Sequence, residues 1–175
     1  MIVETAIEDL VLRTYEYEDA APLAMHADNY NIWKFMRDDF PLPFMESTAL
    51  LYIEKNMKNK GDISLAVSFQ GELIGDIHVT KQNDIQRHSG FMGYWLAEEY
   101  WGRGFMTEAV AAMTRYVFTY TGMIRIYARV FSTNAGSIRV LEKAGFEQEG
   151  RFKNAVFKEG KLCDQLQYAK LKEMG

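Results

Sequence analysis

Residues 94–109, YWLAEEYWGRGFMTEA, run from the end of an apolar strand, through a loop with glycines at 102 and 104, into an amphipathic helix. The first N–H groups of a helix have no partner inside it, and the aligned peptide dipoles add positive potential at that end. Glycine lets the backbone approach a phosphate with no side chain between them. Gly102, Arg103, Gly104, Phe105, Met106 and Thr107 therefore outline an anion cradle, with Arg103 and Arg115 as nearby cations. The same two glycines would also serve a plain tight turn. The segment is not a P-loop, because no Lys-Ser or Lys-Thr follows at the required spacing. It is a poor dinucleotide fingerprint as well, since 105–110 holds no third glycine.

The elements around this segment form a mixed sheet with helices on its faces. Residues 10–14 read as a strand, 16–19 as an acidic helix opening, and 20–33 as an interrupted helix. Two closely spaced prolines make 38–44 a loop. Residues 46–59 read as a second helix, with Leu50, Ile53 and Met57 at helical spacing. Strands follow at 63–69 and 72–80, joined by a Gln70-Gly71 turn, and again at 90–96. The helix at 104–120 carries Met106, Val110, Met113 and Val117 on one face. A strand at 124–131, a short helix at 134–144 closed by Gly145, and a hairpin turning at 158–161 complete the chain. This order predicts an α/β fold, a mixed central sheet with helices on both faces, in a single domain over 1–175.

Composition narrows the function. The 175 residues are 48% apolar and 25% charged, as in an ordinary globular protein. A net charge of -4 does not suit a nucleic-acid backbone, which calls for a concentrated basic face. No run approaches the ~18 apolar residues of a membrane span. Glu4, Glu8 and Asp9 do not suit a signal peptide, and the single cysteine, Cys163, forms neither a disulfide framework nor a thiolate metal site. A soluble cytoplasmic protein, with no nucleic-acid or membrane partner and no metal, is the expectation.

Residues 94–96 followed by 101–109 resemble the acetyl-CoA motif of the GNAT superfamily of N-acetyltransferases. They are most similar to the branch typified by the ribosomal-protein N-terminal alanine acetyltransferases. The helix at 134–146, NAGSIRVLEKAGF, resembles that branch's second signature, and Glu149-Gly150-Arg151 leading to Lys158–Lys161 and Asp164 resembles its closing hairpin. The likeness spans about residues 10–171. It implies the acyl-CoA N-acyltransferase fold and direct acetyl transfer from acetyl-CoA to an amine, either a small molecule or a protein N-terminus, by a monomer or homodimer. The pantetheine arm would lie along Tyr94, Trp95 and Leu96, and the pyrophosphate on the amides of 102–107 beside Trp101. Arg103 or Arg139 would supply positive charge, with Glu99, an unusual residue at its position, turned to solvent. The resemblance also puts Asn134 against the cofactor and the Ser137 hydroxyl near the sulfur, where it would assist the departing thiolate. Both residues also suit ordinary helix capping.

The likeness leaves the general base open. Members of the branch often carry Glu two residues before the glycine of G-Y-W, and here that position is Phe91. Asp76, His78, His88, Asp28, Asp38 and Asp39 remain candidates, as does ordered water. The gap admits a second reading, a catalytically silent acyl-CoA sensor. Tyr30, Trp33, Phe35, Phe40 and Phe44 are expected to line an acceptor pocket, and Asp28, Asp38 and Asp39 to receive a cationic amine.

Overall fold

The computed structural model describes residues 1–59 and 61–173. Eight strands form one sheet: β1 (Ile2–Glu4), β2 (Leu10–Arg13), β3 (Ile63–Phe69), β4 (Glu72–Lys81), β5 (Ser89–Leu96), β6 (Arg125–Phe131), β7 (Glu147–Lys158) and β8 (Lys161–Leu171). Their spatial order is β1-β2-β3-β4-β5-β6-β8-β7. Every neighbouring pair is antiparallel except β5 and β6, which run parallel. The helices are α1 (Ala20–Ala27), α2 (Tyr30–Trp33), α3 (Glu46–Lys58), α4 (Phe105–Tyr120) and α5 (Ala135–Lys143). No described helix is long and apolar enough to cross a membrane.

Strand alternation divides the apolar residues between two cores. On one face Ile77, Val79, Met92, Leu96, Ile126 and Ala128 pack beneath α4 and α5. The expected stripe of α4, Met106, Val110, Met113 and Val117, is buried there. On the other face Ala66, Leu73 and Trp95 meet Leu23 of α1 and Ala49 and Ile53 of α3. A bulge beside Val67 and Ser68 inserts Ile74, so Leu73 and Ile74 serve different cores.

Two elements differ from the sequence expectation. β1 is an extra edge strand, pairing Ile2 with Arg13, and is too short for alternation to reveal. The buried stripe of α3 is also rotated: Ala49 and Ile53 are buried, whereas Leu50 and Met57 face outward. The two-layer packing against α1 leaves room for the small Ala49, and size complementarity overrides the larger side chains.

The junction between β2 and α1 is held by charge. Arg13 grips Asp19 with two parallel bonds, 2.8 and 2.7 Å, and the same carboxylate accepts the Glu16 N–H at 2.8 Å. The hydrogen bond that Arg13 donates to Asp19 leads the effects that hold the guanidinium pKa above its usual value, outweighing the opposing effect of burial. Removing one partner of a buried pair strands the other charge. Asp19→Ala is therefore expected to lower unfolding stability by about 3 kcal/mol, read as a fall in the urea midpoint with an unchanged slope.

Candidate active site

β5 and β6 pair over only three positions, ending at Phe91 opposite Tyr127, and then diverge. Bonds from Gln82 N–H to the Ser89 carbonyl and from Ala97 N–H to the Ile74 carbonyl bracket the other side of β5. In an antiparallel ladder alternate residues direct both backbone groups to the same neighbour. The odd residues from Ser89 to Ala97 thus face β4, and Met92, Tyr94 and Leu96 face the gap. The Leu96 carbonyl accepts from Trp101 Nε1 at 2.7 Å. The remaining peptide groups of this edge open into a cleft of about 650 Å³.

One end of the cleft is the cradle. Gly104 caps α4 with φ 81°, and Gly102 has φ 75°. No heavy atom lies within 4 Å of a Cβ built at either position, so backbone conformation, not space, selects glycine here. Thr107, Asn134, Ser137 and Arg139 complete this end, together with Lys143, which the sequence did not single out. Asn134 caps α5, its side-chain oxygen accepting the Ser137 N–H at 3.1 Å. Ser137 Oγ lies 2.8 Å from Tyr94 Oη. Burial pushes the Tyr94 phenol well above its ordinary pKa, against a smaller opposing effect of Ser137, so the hydroxyl stays a neutral donor.

Phe105, Met106, Leu96 and Trp95 border the cleft with mostly buried side chains, while Trp101 stands partly exposed at its rim. Arg103 does not border it. Its guanidinium lies 4.7 Å from the Phe105 ring centre and 5.3 Å from that of Tyr100. This cation–π stacking holds the charge outside the cradle, correcting the expectation that Arg103 lines it. Arg115 is likewise engaged, 2.9 Å from Glu108. Glu99 turns away from the cleft and sits 3.4 Å from His26 Nδ1.

The other end of the cleft differs from the expected acceptor pocket. Tyr30, Trp33, Phe40 and Phe44 do not line it; Asn31, Ile32 and the expected Phe35 do, with Phe91 and Phe131. Positions 30 and 33 share one side of a helical turn, and that side meets the β7–β8 hairpin. Tyr30 donates to the Glu159 carboxylate at 2.9 Å, and Lys158 Nζ sits 3.7 Å from the Trp33 ring centre. The Trp33 indole donates to the Phe40 carbonyl, while the Phe40 ring packs on Phe44 and Trp95. The three acids offered for a cationic amine are engaged too. Asp28 accepts the Phe44 N–H at 2.9 Å, Asp38 holds Lys158 at 2.8 Å, and Asp39 pairs with Arg37 at 3.0 Å. Arg37 and Arg129 are the cations at this end. Sequence reasoning missed Arg129 and Phe131, because only the divergence of β6 turns them toward the cleft.

Residues 9–147 match the acetyltransferase (GNAT) domain family. The chain belongs to that family, and as a member it is an acetyl-CoA-dependent N-acetyltransferase. Among curated relatives it is 29% identical over 170 residues to an uncharacterized N-acetyltransferase, p20, of Bacillus licheniformis, covering 94% of both chains. It is 25% identical to the [ribosomal protein uS5]-alanine N-acetyltransferase of Escherichia coli K12, over 93% of this chain and 87% of that one. Its fold superposes on the ribosomal L7/L12 α-N-protein acetyltransferase RimL in complex with coenzyme A, with a TM-score of 0.86 over 98% of both chains at 18% identity.

The cradle geometry yields a stability prediction. A Cβ at residue 104 meets no clash but must adopt a left-handed backbone, at a cost of roughly 1–2 kcal/mol. Gly104→Ala is expected to lower the melting temperature by an amount matching that cost, and an unchanged melting temperature would show that the loop relaxes freely.

Proposed function

We propose that this chain, acting as one cytoplasmic domain, binds acetyl-CoA along the open edge of β5 and acetylates a primary amine that carries an anionic group nearby. The observation that carries the reading is the edge itself: peptide groups of Met92 and Tyr94 facing a cleft that leads straight to the N-terminus of α4. A ligand with amides along its length and phosphates at one end suits such a surface, because the amides replace the missing strand and the phosphates meet unpaired N–H groups. The amides of Gly102 to Thr107, with Arg139 and Lys143, would hold the pyrophosphate. Met92, Tyr94 and Leu96 would hold the pantetheine arm, and Trp95 and Trp101 would brace that strand. Bound there, acetyl-CoA supplies an activated thioester carbon.

The protein's own groups then manage protons. With the Tyr94 hydroxyl donating to Ser137 Oγ, the Ser137 O–H is free to point into the cleft and donate to a developing thiolate. Burial keeps Tyr94 protonated over the whole working range, so its hydroxyl retains a hydrogen to give. Asn134 positions Ser137 through its N–H. At the opposite end Phe35, Phe91 and Phe131 offer an apolar wall, with Arg129 for charge. Since the acids there are already paired, a polycation finds no free partner, whereas a carboxylate beside the amine does. The named acceptors of the relatives, alanine at a protein N-terminus among them, are compatible with that class.

Two measurements test the reading. Calorimetric titration with CoA is expected to give saturable binding that Gly104→Glu abolishes, because a carboxylate then occupies the pyrophosphate position. Thiol release from acetyl-CoA is expected with peptides bearing a free α-amine and an acidic second residue, at least tenfold faster than with spermidine. Ser137→Ala should lower turnover about 10- to 100-fold with CoA affinity nearly intact. Preference for spermidine would overturn the acceptor class, and absence of CoA binding would overturn the site.

A further inference from the structure

The strand next to the cleft edge carries two of the groups left open as candidates for the base, Asp76 and His78. Asp76 and His78 of β4 project on the same face as Gly93 and Trp95 of β5, their cross-strand partners. Asp76 is buried, with 1% of its surface exposed. One of its oxygens, Oδ2, accepts the hydroxyls of Tyr15 and, at 3.1 Å, Tyr52. The other, Oδ1, lies 3.2 Å from His78 Nδ1. A carboxylate only accepts, so Nδ1 carries the hydrogen and Nε2 of the neutral ring is left as an acceptor. Burial first, and then the charge of Asp76, push both tyrosines above their ordinary pKa, so they remain donors to the carboxylate.

The imidazole lies across Gly93. A Cβ at residue 93 would stand 2.6 Å from His78 Cε1 and from Nε2, so any larger residue would displace the ring. The glycine of the G-Y-W segment thus makes room for this histidine. His78 is itself part of the cleft wall, with a third of its side chain accessible, on the acceptor side beside Phe91. The position where the resemblance leads one to expect a carboxylate therefore has an imidazole as a neighbour. Its Nε2 borders the space an incoming amine must cross.

We infer that His78 Nε2 takes the proton that the acceptor nitrogen sheds, and that Asp76, acting through Nδ1, is the positioning residue that fixes its tautomer. The inference rests on the acetyl-transfer reading above. As the nitrogen lone pair forms the new C–N bond and the C–S bond breaks, the nitrogen gives one proton to Nε2. The departing sulfur takes one proton through the Ser137 hydroxyl, and solvent carries the proton gained at Nε2 back to that hydroxyl, so the amine N–H bond broken is replaced by the thiol S–H bond formed and no further reagent is needed. The charged and titratable groups around the ring are Asp76 on its own strand, Asp62 ahead of β3, Tyr15, Tyr52 on α3, and Arg37 and Arg129 across the cleft. Burial lowers the imidazole pKa. The hydrogen bond that Nδ1 donates to Asp76, with the charges of Asp76 and Asp62, more than offsets this and leaves it raised above 6.5. Below that pKa the ring is already protonated and cannot act, so kcat is expected to rise with pH through it.

The test uses the CoA-saturated protein, wild type and variants, with an alanine-aspartate-headed peptide as acceptor. His78→Gln is expected to lower kcat about 10²- to 10⁴-fold, with CoA affinity unchanged and the acidic limb of the pH profile gone. Asp76→Asn should retain part of the activity and move the limb to lower pH, because burial is then opposed by the charge of Asp62 alone. A second readout needs no turnover. NMR titration of His78 in the CoA complex should show a pKa above 6.5 in the wild type and a lower value in Asp76→Asn. A His78→Gln variant that binds CoA and keeps both rate and limb would overturn the inference. So would a His78 pKa that ignores Asp76→Asn. Failure of the peptide to react in wild type, with the NMR shifts as expected, would count against the acceptor class alone.

Discussion

The fold turns on the short parallel pairing between β5 and β6. Three positions of pairing anchor the two strands, and divergence beyond Tyr127 leaves backbone donors and acceptors without a neighbour. Buried peptide groups in that condition are costly unless something else satisfies them. Here they face a cleft, and the helix that follows β5 brings its own unpaired N–H groups to the same place. The cofactor half of the site is thus made mostly of main chain. Side chains refine it: the Trp101 indole ties down the Leu96 carbonyl, and Asn134 and Tyr94 orient Ser137 from two sides.

The same strand separates two kinds of chemistry. Even-numbered residues of β5 turn their side chains toward α4 and α5, where Tyr94 meets Ser137. Odd-numbered residues turn theirs toward the opposite face, where Gly93 lies under His78. A proton donor for sulfur and an acceptor for nitrogen can therefore stand on opposite sides of a single extended ligand edge without interfering. The two aromatic hydroxyls and the His78 Nδ1 give both oxygens of the buried Asp76 a partner, the condition under which a buried polar group specifies a conformation. Charge placement follows a similar economy. Arg103 is stacked on aromatic rings, Asp38 is paired with Lys158 and Asp39 with Arg37, and Arg129 borders the cleft with a glutamine, Gln167, as its hydrogen-bond partner.

Much of this was legible in the chain. The periodicity of 104–120, the glycines at 102 and 104, and the cap at Asn134 are local features, governed by backbone conformation and by residues within one helical turn. They came through because neighbours a few positions away decide them. The acceptor side was misread for the complementary reason. Tyr30, Trp33 and Phe40 are aromatic in a region that must lie near the site, yet which of them borders it depends on how the β7–β8 hairpin docks, 120 or more residues away. Leu50 and Met57 illustrate the same effect on α3, where the packing partner selected Ala49 instead.

What the sequence by itself determined is the sheet-and-helix order, the glycine loop that begins α4, and the motif likeness that points to acetyl transfer. Each is carried by short-range sterics or by a pattern along one element. Tertiary structure alone decided that β5 and β6 part after three pairs, that the Arg103 guanidinium lies outside the cradle while Lys143 borders it, and that His78, bound to the buried Asp76, stands at the edge of the cleft. Those outcomes depend on contacts between elements far apart in the chain, where the energy of one packing arrangement over another is shared among many side chains and is written in no single segment.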